Sequence, residues 1–146
     1  MKLVLQRVSE AMVMVDGKQT GSIGRGLVVF LCIEKGDDRA LADHYASKTV
    51  ELRIFGDWAG KMNLSIKEAG GEILLVSQFT LAADAEKGRR PSFDRAAPPE
   101  MANELYEYFA ARLVAEGVRT STGVFAADMK VCLVNDGPVT ILLGGT

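Results

Sequence analysis

The chain of 146 residues has one histidine and two cysteines, which limits its possible chemistry. Any Ser-His-Asp or Cys-His catalytic apparatus would have to use His44, and the expected role of His44 is a partly exposed helix residue. Cys32 and Cys132 lie in apolar runs, where cysteine usually behaves as a small hydrophobic residue. These three residues cannot form a zinc site rich in cysteine and histidine, and no acidic cluster suggests a carboxylate site in its place. We therefore expect neither a metal nor a redox cofactor.

Long hydrophobic runs and a strong charge are also missing. No segment approaches the roughly 20 apolar residues of a membrane-spanning helix. Met1 and Lys2 lead directly into a strand-like pattern, so we expect no membrane association and a cytoplasmic location. The formal net charge of −2 argues against general affinity for nucleic acid but allows a local basic patch. The length predicts one domain over residues 1–146.

Hydrophobic periodicity predicts a series of strands with two helices. Strand patterns cover residues 3–15, 18–23 and 27–33, with a tight turn at Asp16-Gly17 between the first two. A helix is predicted from Asp37 or Asp38 to about Leu52, with one face formed by Leu41, Tyr45, Lys48 and Leu52. A second helix should open at Pro98-Pro99 and end near Glu116, with its inner face formed by Leu105, Tyr108, Phe109 and Leu113.

Two segments combine strand-like runs with functional side chains. Residues 131–134 and 141–143 are apolar and flank Asn135-Asp136-Gly137-Pro138-Val139-Thr140, a pattern typical of a hairpin. The Gly-Pro pair there also indicates a fixed backbone kink, for which a cis peptide bond is one option. Residues 72–81 are predicted to form a strand covered on both faces that ends in Ser77-Gln78-Phe79-Thr80-Leu81. Polar groups at the end of a buried strand must find partners or line a pocket.

A stretch without periodicity follows over residues 82–98. It carries four cations, Lys87, Arg89, Arg90 and Arg95. A loop of this length in a small domain is more often functional than idle, so these cations could meet phosphates. The equally favoured interpretation is an ordinary solvated charge run.

The two motifs together, Ser77-Gln78-Phe79-Thr80-Leu81 and Asn135-Asp136-Gly137-Pro138-Val139-Thr140, resemble the signature pair of the D-aminoacyl-tRNA deacylases. Residues 6–8, 52–55, 61–65 and 90–93 are also similar to that family, so the likeness covers essentially the whole chain. Each motif alone is weak, but both at this separation are highly specific. Ser77 and Phe79 favour the D-specific branch, because a sister group acting on other mischarged tRNAs carries Pro and Ala there.

The resemblance implies a homodimer of single-domain α/β subunits, each with a barrel-like, mostly antiparallel β-sheet and two main helices. It implies hydrolysis of the ester that joins a D-amino acid, or glycine, to the 3′-terminal ribose of tRNA. In the family, Gly137-Pro138 is a cis unit that one subunit inserts into the pocket of the other. Its carbonyls hold the α-amino group of the substrate, and an L side chain would collide with it.

The resemblance also assigns the site residues. The catalytic wall would consist of Ser77, Gln78, Phe79 and Thr80. Phe79 would position the terminal adenosine, while the Thr80 hydroxyl or nearby backbone amides would meet the carbonyl oxygen. The substrate-binding residues would be Gly137 and Pro138, with Arg7 as a brace and Phe125 and Met129 as a border.

The residues are compatible with two modes of attack on the ester and with two other functions. Direct attack by water is favoured over a covalent Thr80 nucleophile, because no base lies beside Thr80 in sequence. An aminoacyl ester is already labile, so positioned water and backbone donors could be sufficient, and the neighbouring ribose 2′-OH could assist. The alternatives are a non-catalytic RNA-binding dimer and a Thr-dependent hydrolase of small amino esters.

Overall fold

The computed structural model describes residues 1–145, so residue 146 of the predicted domain lies outside the described part. In this part the chain forms eight strands, two helices and one 3₁₀ turn. In order they are β1 (Lys2–Val15), β2 (Lys18–Ile23), β3 (Gly26–Cys32), α1 (Arg39–Glu51), β4 (Phe55–Gly56), β5 (Met62–Leu64), β6 (Glu72–Ser77), the 3₁₀ turn (Phe79–Ala82), α2 (Pro99–Ala115), β7 (Thr120–Thr122) and β8 (Lys130–Gly144).

The main sheet is built around β1, which pairs antiparallel with β2, β3 and β8. The β3–β6 and β6–β7 pairs are parallel. The sheet curves until β7 approaches β2, where Ser121 Oγ donates to the Ser22 carbonyl over 3.2 Å. A Cβ on Gly21 would lie 2.6 Å from the Thr122 carbonyl oxygen, so glycine permits this approach. The predicted α/β fold with a barrel-like sheet and two helices is confirmed, with antiparallel pairs in the majority.

The tight turn between β1 and β2 also agrees with the prediction. Asp16 has φ 50° and Gly17 has φ 75°, the positive values that a two-residue hairpin turn requires.

The predicted hairpin over residues 131–143 is wrong. Both apolar runs belong to one strand, β8, and both pair with β1. Gln6 lies opposite Thr140, whereas Val8 lies opposite Asn135, so residues 136–139 form a bulge in a continuous ladder. Because β1 is 14 residues long, it can pair with the two runs end to end. The local turn signal is thereby overridden.

Both predicted helices are present. In α1 the N-cap is Asp38, whose Oδ1 accepts from the Leu41 amide at 2.9 Å. Its predicted inner face is partly wrong, because Lys48 is exposed and the buried residues are Ala42, Ala46, Thr49 and Val50. The small side chains of Ala42 and Ala46 allow α1 to pack closely against the core, so the buried face is centred on them. The α2 inner face is Ala102, Leu105, Tyr106, Phe109 and Leu113. The remaining predicted member, Tyr108, is half-buried and donates to Asp43 of α1 over 2.8 Å.

The covered strand β6 positions the functional region. Its four central residues, Ile73, Leu74, Leu75 and Val76, are at most 1% exposed, which confirms coverage on both faces. The strand ends at Ser77 and not at Leu81, so the predicted extent of this strand is wrong. Ser77 is the last residue paired with β3, and the chain then closes into the 3₁₀ turn.

Candidate active site

A cleft of about 730 Å³ opens where the parallel strands β3 and β6 end. Three walls surround it: the ends of these strands, the segment before and within the start of α2, and the segment between β7 and β8. Its lining is mostly apolar and includes Ile33, Lys35, Val76, Ser77, Gln78, Phe79, Phe93, Ala96, Ala97, Pro98, Pro99, Ala102, Phe125, Ala126, Ala127, Asp128, Met129 and Val131. The carboxyl ends of adjacent parallel strands are a common position for ligand sites.

The structure places five of the nine sequence-predicted site residues in this cleft. Ser77, Gln78 and Phe79 form one side, and Phe125 and Met129 approach from the segment between β7 and β8. The cleft lining does not include Thr80, although Thr80 is the next residue of the turn and is exposed. The cleft therefore brings together residues that are about 50 positions apart in sequence.

The turn that carries these residues is fixed by hydrogen bonds. The Gln78 amide donates to the Leu31 carbonyl at 2.8 Å, and the Leu81 amide returns to the Gln78 carbonyl at 3.2 Å. The Cys32 thiol donates to the Phe79 carbonyl over 3.5 Å. Burial raises the pKa of the Cys32 thiol, which keeps it protonated as a donor and unsuited to nucleophilic chemistry.

The Phe79 side chain is exposed at the cleft, although hydrogen bonds fix the backbone of the turn that carries it. Its side chain is 55% exposed, and its ring meets the Phe93 ring edge-on with a centroid distance of 5.1 Å. Such an edge contact orients the Phe79 ring while more than half of the side chain stays open to solvent. This arrangement provides a surface on which a flat, apolar group can stack.

Thr80 lacks the partner that a nucleophile needs. Within residues 1–145, its hydroxyl oxygen has one side-chain hydrogen bond, in which it accepts from Gln78 Nε2. An amide cannot remove a proton, so this contact orients the hydroxyl without activating it. The hydroxyl proton remains available for donation. The first amides of a 3₁₀ turn also have no acceptor within the turn.

Tyr106 of α2 supports the cleft floor. Its hydroxyl donates to the Leu75 carbonyl over 2.8 Å, and its ring lies 5.9 Å from the Phe125 ring. Burial raises the pKa of Tyr106 to about 12, so the phenol is neutral throughout the physiological range. We assign Tyr106 a supporting role, because its hydroxyl is committed to the backbone.

The other predicted residues form a second group on the β8 bulge. Gly137 and Pro138 are exposed, are joined by a cis peptide bond and do not belong to the cleft lining of their own chain. Arg7 holds this segment: its Nε donates to the Asp136 carbonyl at 2.9 Å, and its Nη1 donates to the Ile54 carbonyl at 2.6 Å. Asn135 Oδ1 accepts from the Val139 amide at 3.1 Å, which closes the bulge.

Sequence reasoning missed the remaining lining residues. Ile33 and Lys35 could have been found, because β3 and β6 are adjacent parallel strands whose ends meet. Phe93 lies in the segment 90–93 that already resembled the family. The small residues Ala96, Ala97 and Ala102 carry no local signal that separates a cleft wall from a packed core.

The charged and metal-binding side chains add no further centre in the described part of the chain. Across residues 1–145, no group of three or more His, Cys, Asp or Glu side chains could hold a metal ion. His44 is exposed on α1, as predicted. Lys87, Arg89, Arg90 and Arg95 are exposed in the loop before α2. Among the described helices, none is both long enough and apolar enough to cross a membrane.

Comparisons with known proteins agree on one family. The family model described as D-Tyr-tRNA(Tyr) deacylase matches residues 4–144. The chain is 60% identical over 143 residues to a D-aminoacyl-tRNA deacylase of Geotalea daltonii, covering 98% of this chain and 95% of that one. It is 59% identical over 140 residues to one of Aeromonas hydrophila, covering 96% and 97%.

Solved structures have the same fold. One described as c-Myc DNA unwinding element binding protein is 41% identical with a TM-score of 0.93, covering 100% of this chain and 99% of that one. A probable eukaryotic D-amino acid tRNA deacylase has a TM-score of 0.85 at 19% identity, with 97% of each chain covered. The second likeness concerns the fold alone.

Proposed function

The chain belongs to the D-Tyr-tRNA(Tyr) deacylase family, and from this premise we propose that it hydrolyses the ester linking a D-amino acid to tRNA. Glycine mischarged on tRNA would be a second substrate, since it lacks the side chain that distinguishes the two configurations. The observation that carries the proposal is the shared cleft of Ser77, Gln78, Phe79, Phe125 and Met129. The products are the free amino acid and uncharged tRNA, so the activity removes tRNAs that would bring the wrong amino acid to translation.

The shape of the cleft supports a specific placement of the substrate. The exposed Phe79 side chain receives the terminal adenosine by stacking, which aligns the ester with the 3₁₀ turn. The carbonyl oxygen then faces the first amides of the turn and the Thr80 hydroxyl. Donors fixed in advance stabilise the negative charge that develops on this oxygen during attack.

Direct attack by water fits these groups better than attack by Thr80. The Thr80 hydroxyl receives a hydrogen bond from Gln78 and has no basic side chain as an acceptor among residues 1–145. Water adds to the ester carbonyl, the bond to the ribose oxygen breaks, and that oxygen takes up a proton as the carboxylic acid is released. The substrate ammonium already activates the ester, and orientation supplies much of the remaining rate enhancement.

The D-selective part of the site would come from a second subunit. Gly137 and Pro138 are exposed and lie outside the cleft of their own chain. Both features are required of residues that enter the cleft of a partner. The same strand exposes apolar side chains, with Leu142 at 73% and Val134 at 51%. We propose a homodimer in which Gly137-Pro138 enters the partner's cleft, holds the substrate ammonium with its carbonyls and obstructs an L side chain.

Three substrates test this function in one experiment: D-Tyr-tRNA, L-Tyr-tRNA and the ethyl ester of D-Tyr. We expect hydrolysis of D-Tyr-tRNA, rejection of L-Tyr-tRNA and much slower turnover of the ethyl ester, which lacks the adenosine. Binding of tRNA without hydrolysis would instead indicate a non-catalytic RNA-binding dimer. Equal turnover of the ethyl ester would indicate a small-ester hydrolase, and acylation of Thr80 would reverse the assigned mechanism. Recovery in the soluble fraction with other translation components tests the proposed cytoplasmic location.

A further inference from the structure

The hairpin formed by β4 and β5 exposes the single tryptophan of the chain. Trp58 is 98% exposed, and Met62 on the same hairpin is 59% exposed. A lone apolar residue on a surface needs no explanation, but two large ones on a short hairpin form a local patch. No part of the mechanism described above uses these residues.

The turn below Trp58 is rigid. The Asp57 carboxylate accepts from the Ala59 amide at 2.8 Å and from the Lys61 amide at 3.0 Å. The Asp57 amide donates to the Lys61 carbonyl at 2.8 Å, and the Gly60 amide donates to the Asp57 carbonyl at 3.0 Å. The indole is therefore presented on a fixed backbone, which lowers the entropy lost when a partner binds.

The hairpin is also joined to the bulge that carries Gly137. Arg7 bridges the two, since its guanidinium donates to the Ile54 carbonyl before β4 and to the Asp136 carbonyl in β8. Arg7 therefore connects the hairpin that carries Trp58 to the segment that the proposed homodimer places in the partner's cleft. Two exposed cations flank the hairpin: Lys61, and Arg53, whose guanidinium donates to the backbone carbonyl and the side-chain oxygen of Asn63.

We propose that Trp58 is a stacking platform for an unpaired nucleobase of the tRNA, next to the terminal adenosine. The inference rests on the proposed function, because it places RNA at the cleft mouth. An indole stacks on any base, Lys61 can approach an adjoining phosphate, and Arg53 adds positive charge to the hairpin while it stays bonded to Asn63. The combination of one flat aromatic surface with cations favours RNA over a protein partner, which would need a broader patch.

The first test uses Trp58 as its own reporter, because it is the only tryptophan. The wild-type protein is titrated with uncharged tRNA, and the intrinsic fluorescence and its quenching by acrylamide are followed. We expect quenched emission and protection from acrylamide, both weakened by added salt. Unchanged emission at tRNA concentrations that saturate the enzyme would overturn the proposal. Protection that depends on protein concentration without RNA would overturn it as well, because the indole would then lie between subunits.

The second test measures deacylation of D-Tyr-tRNA by Trp58→Ala, Trp58→Phe and the control Val114→Ala, an exposed apolar residue of α2. We expect Trp58→Ala to raise KM by about fivefold to 100-fold, the range for loss of one stacked base. The kcat should change much less, Trp58→Phe should recover most of the affinity, and the control should match wild type. A wild-type KM for Trp58→Ala would refute the platform. Quenching by tRNA in a protein that hydrolyses no ester would refute the proposed function and leave the platform standing.

Discussion

Removal of the Arg7 guanidinium should loosen both segments that it connects. Arg7→Met keeps most of the apolar stem and deletes the donors to the Ile54 and Asp136 carbonyls. A hydrogen bond from a charged donor contributes about 1.5–3 kcal/mol, and the exposed contact to Asp136 lies at or below the lower end. We therefore expect the free energy of unfolding to fall by about 2–3 kcal/mol in urea denaturation.

Arg7→Met should also lower the rate of D-Tyr-tRNA hydrolysis, even under conditions in which the variant is fully folded. The brace sets the position of Gly137, and an error of about 1 Å in a substrate-positioning group can cost about 10²-fold in rate. Arg7→Lys is the matched control, because one ammonium keeps the charge but cannot reproduce the fork that reaches two carbonyls. It should recover part of the stability and little of the D-Tyr-tRNA activity. If Arg7→Met keeps both wild-type stability and activity, the bracing role is refuted.

Three further predictions concern the site and its support. Thr80→Val deletes the hydroxyl at nearly constant shape, and kcat/KM should fall by about tenfold or less if the hydroxyl only assists, whereas loss of a nucleophile would cost several orders of magnitude. Gly137→Ala should reduce activity toward D-Tyr-tRNA and Gly-tRNA alike without admitting L-Tyr-tRNA. The reason is that the φ angle of Gly137 is 139°, and an added Cβ would lie 2.9 Å from Val139 Cγ2 and 3.0 Å from Arg7 Nη2. Activity gained toward L-Tyr-tRNA would contradict this prediction. Burial raises the pKa of Tyr106 from 10.0 to about 12, so the folded state favours the neutral phenol. The contribution of Tyr106 to stability should therefore be full below about pH 10 and should be lost as the pH rises through 12. Tyr106→Phe should abolish this alkaline loss in pH-dependent denaturation. Near neutral pH it should lower the free energy of unfolding by only about 1 kcal/mol, because the Leu75 carbonyl still accepts a hydrogen bond from the Gly123 amide at 3.0 Å.

The elements with strong local signals were predictable from sequence. The positive φ values at Asp16 and Gly17 follow from residue types that favour the tight turn. The N-cap at Asp38 and the proline opening of α2 are equally local. Each of these features depends on a few adjacent residues and on no distant partner.

The errors arise where a distant partner decides the outcome. The turn signal of residues 135–138 is real, but pairing with the long strand β1 extends both flanking runs into β8. β6 ends at Ser77 because the chain turns away from β3 into the 3₁₀ turn, which the side-chain pattern of residues 77–81 does not show. Lys48 has the correct spacing for the inner face of α1, yet small alanines face the core.

The motifs gave a list of candidate site residues, and their positions relative to the cleft required the fold. Family-like motifs proposed residues 77–80 and 137–138, and the fold shows that Ser77, Gln78 and Phe79 line the cleft whereas Gly137 and Pro138 lie outside the cleft of their own chain. That separation leads to the central claim that the cleft of one chain works with Gly137-Pro138 of another. The residue pattern alone does not indicate which copy of the chain completes a pocket, and the cross-subunit arrangement is an implication of the family resemblance.

Mixing two defective variants tests this claim most directly. Phe79→Ala damages the cleft, and Gly137→Ala damages the donated segment, so each homodimer should have little activity toward D-Tyr-tRNA. Co-expressed with two different affinity tags, the variants form heterodimers that can be isolated and assayed. One site of such a heterodimer combines an intact cleft with an intact Gly137-Pro138, so the account predicts that activity returns. Heterodimers as inactive as the two parents would contradict it and would place the complete site within a single chain.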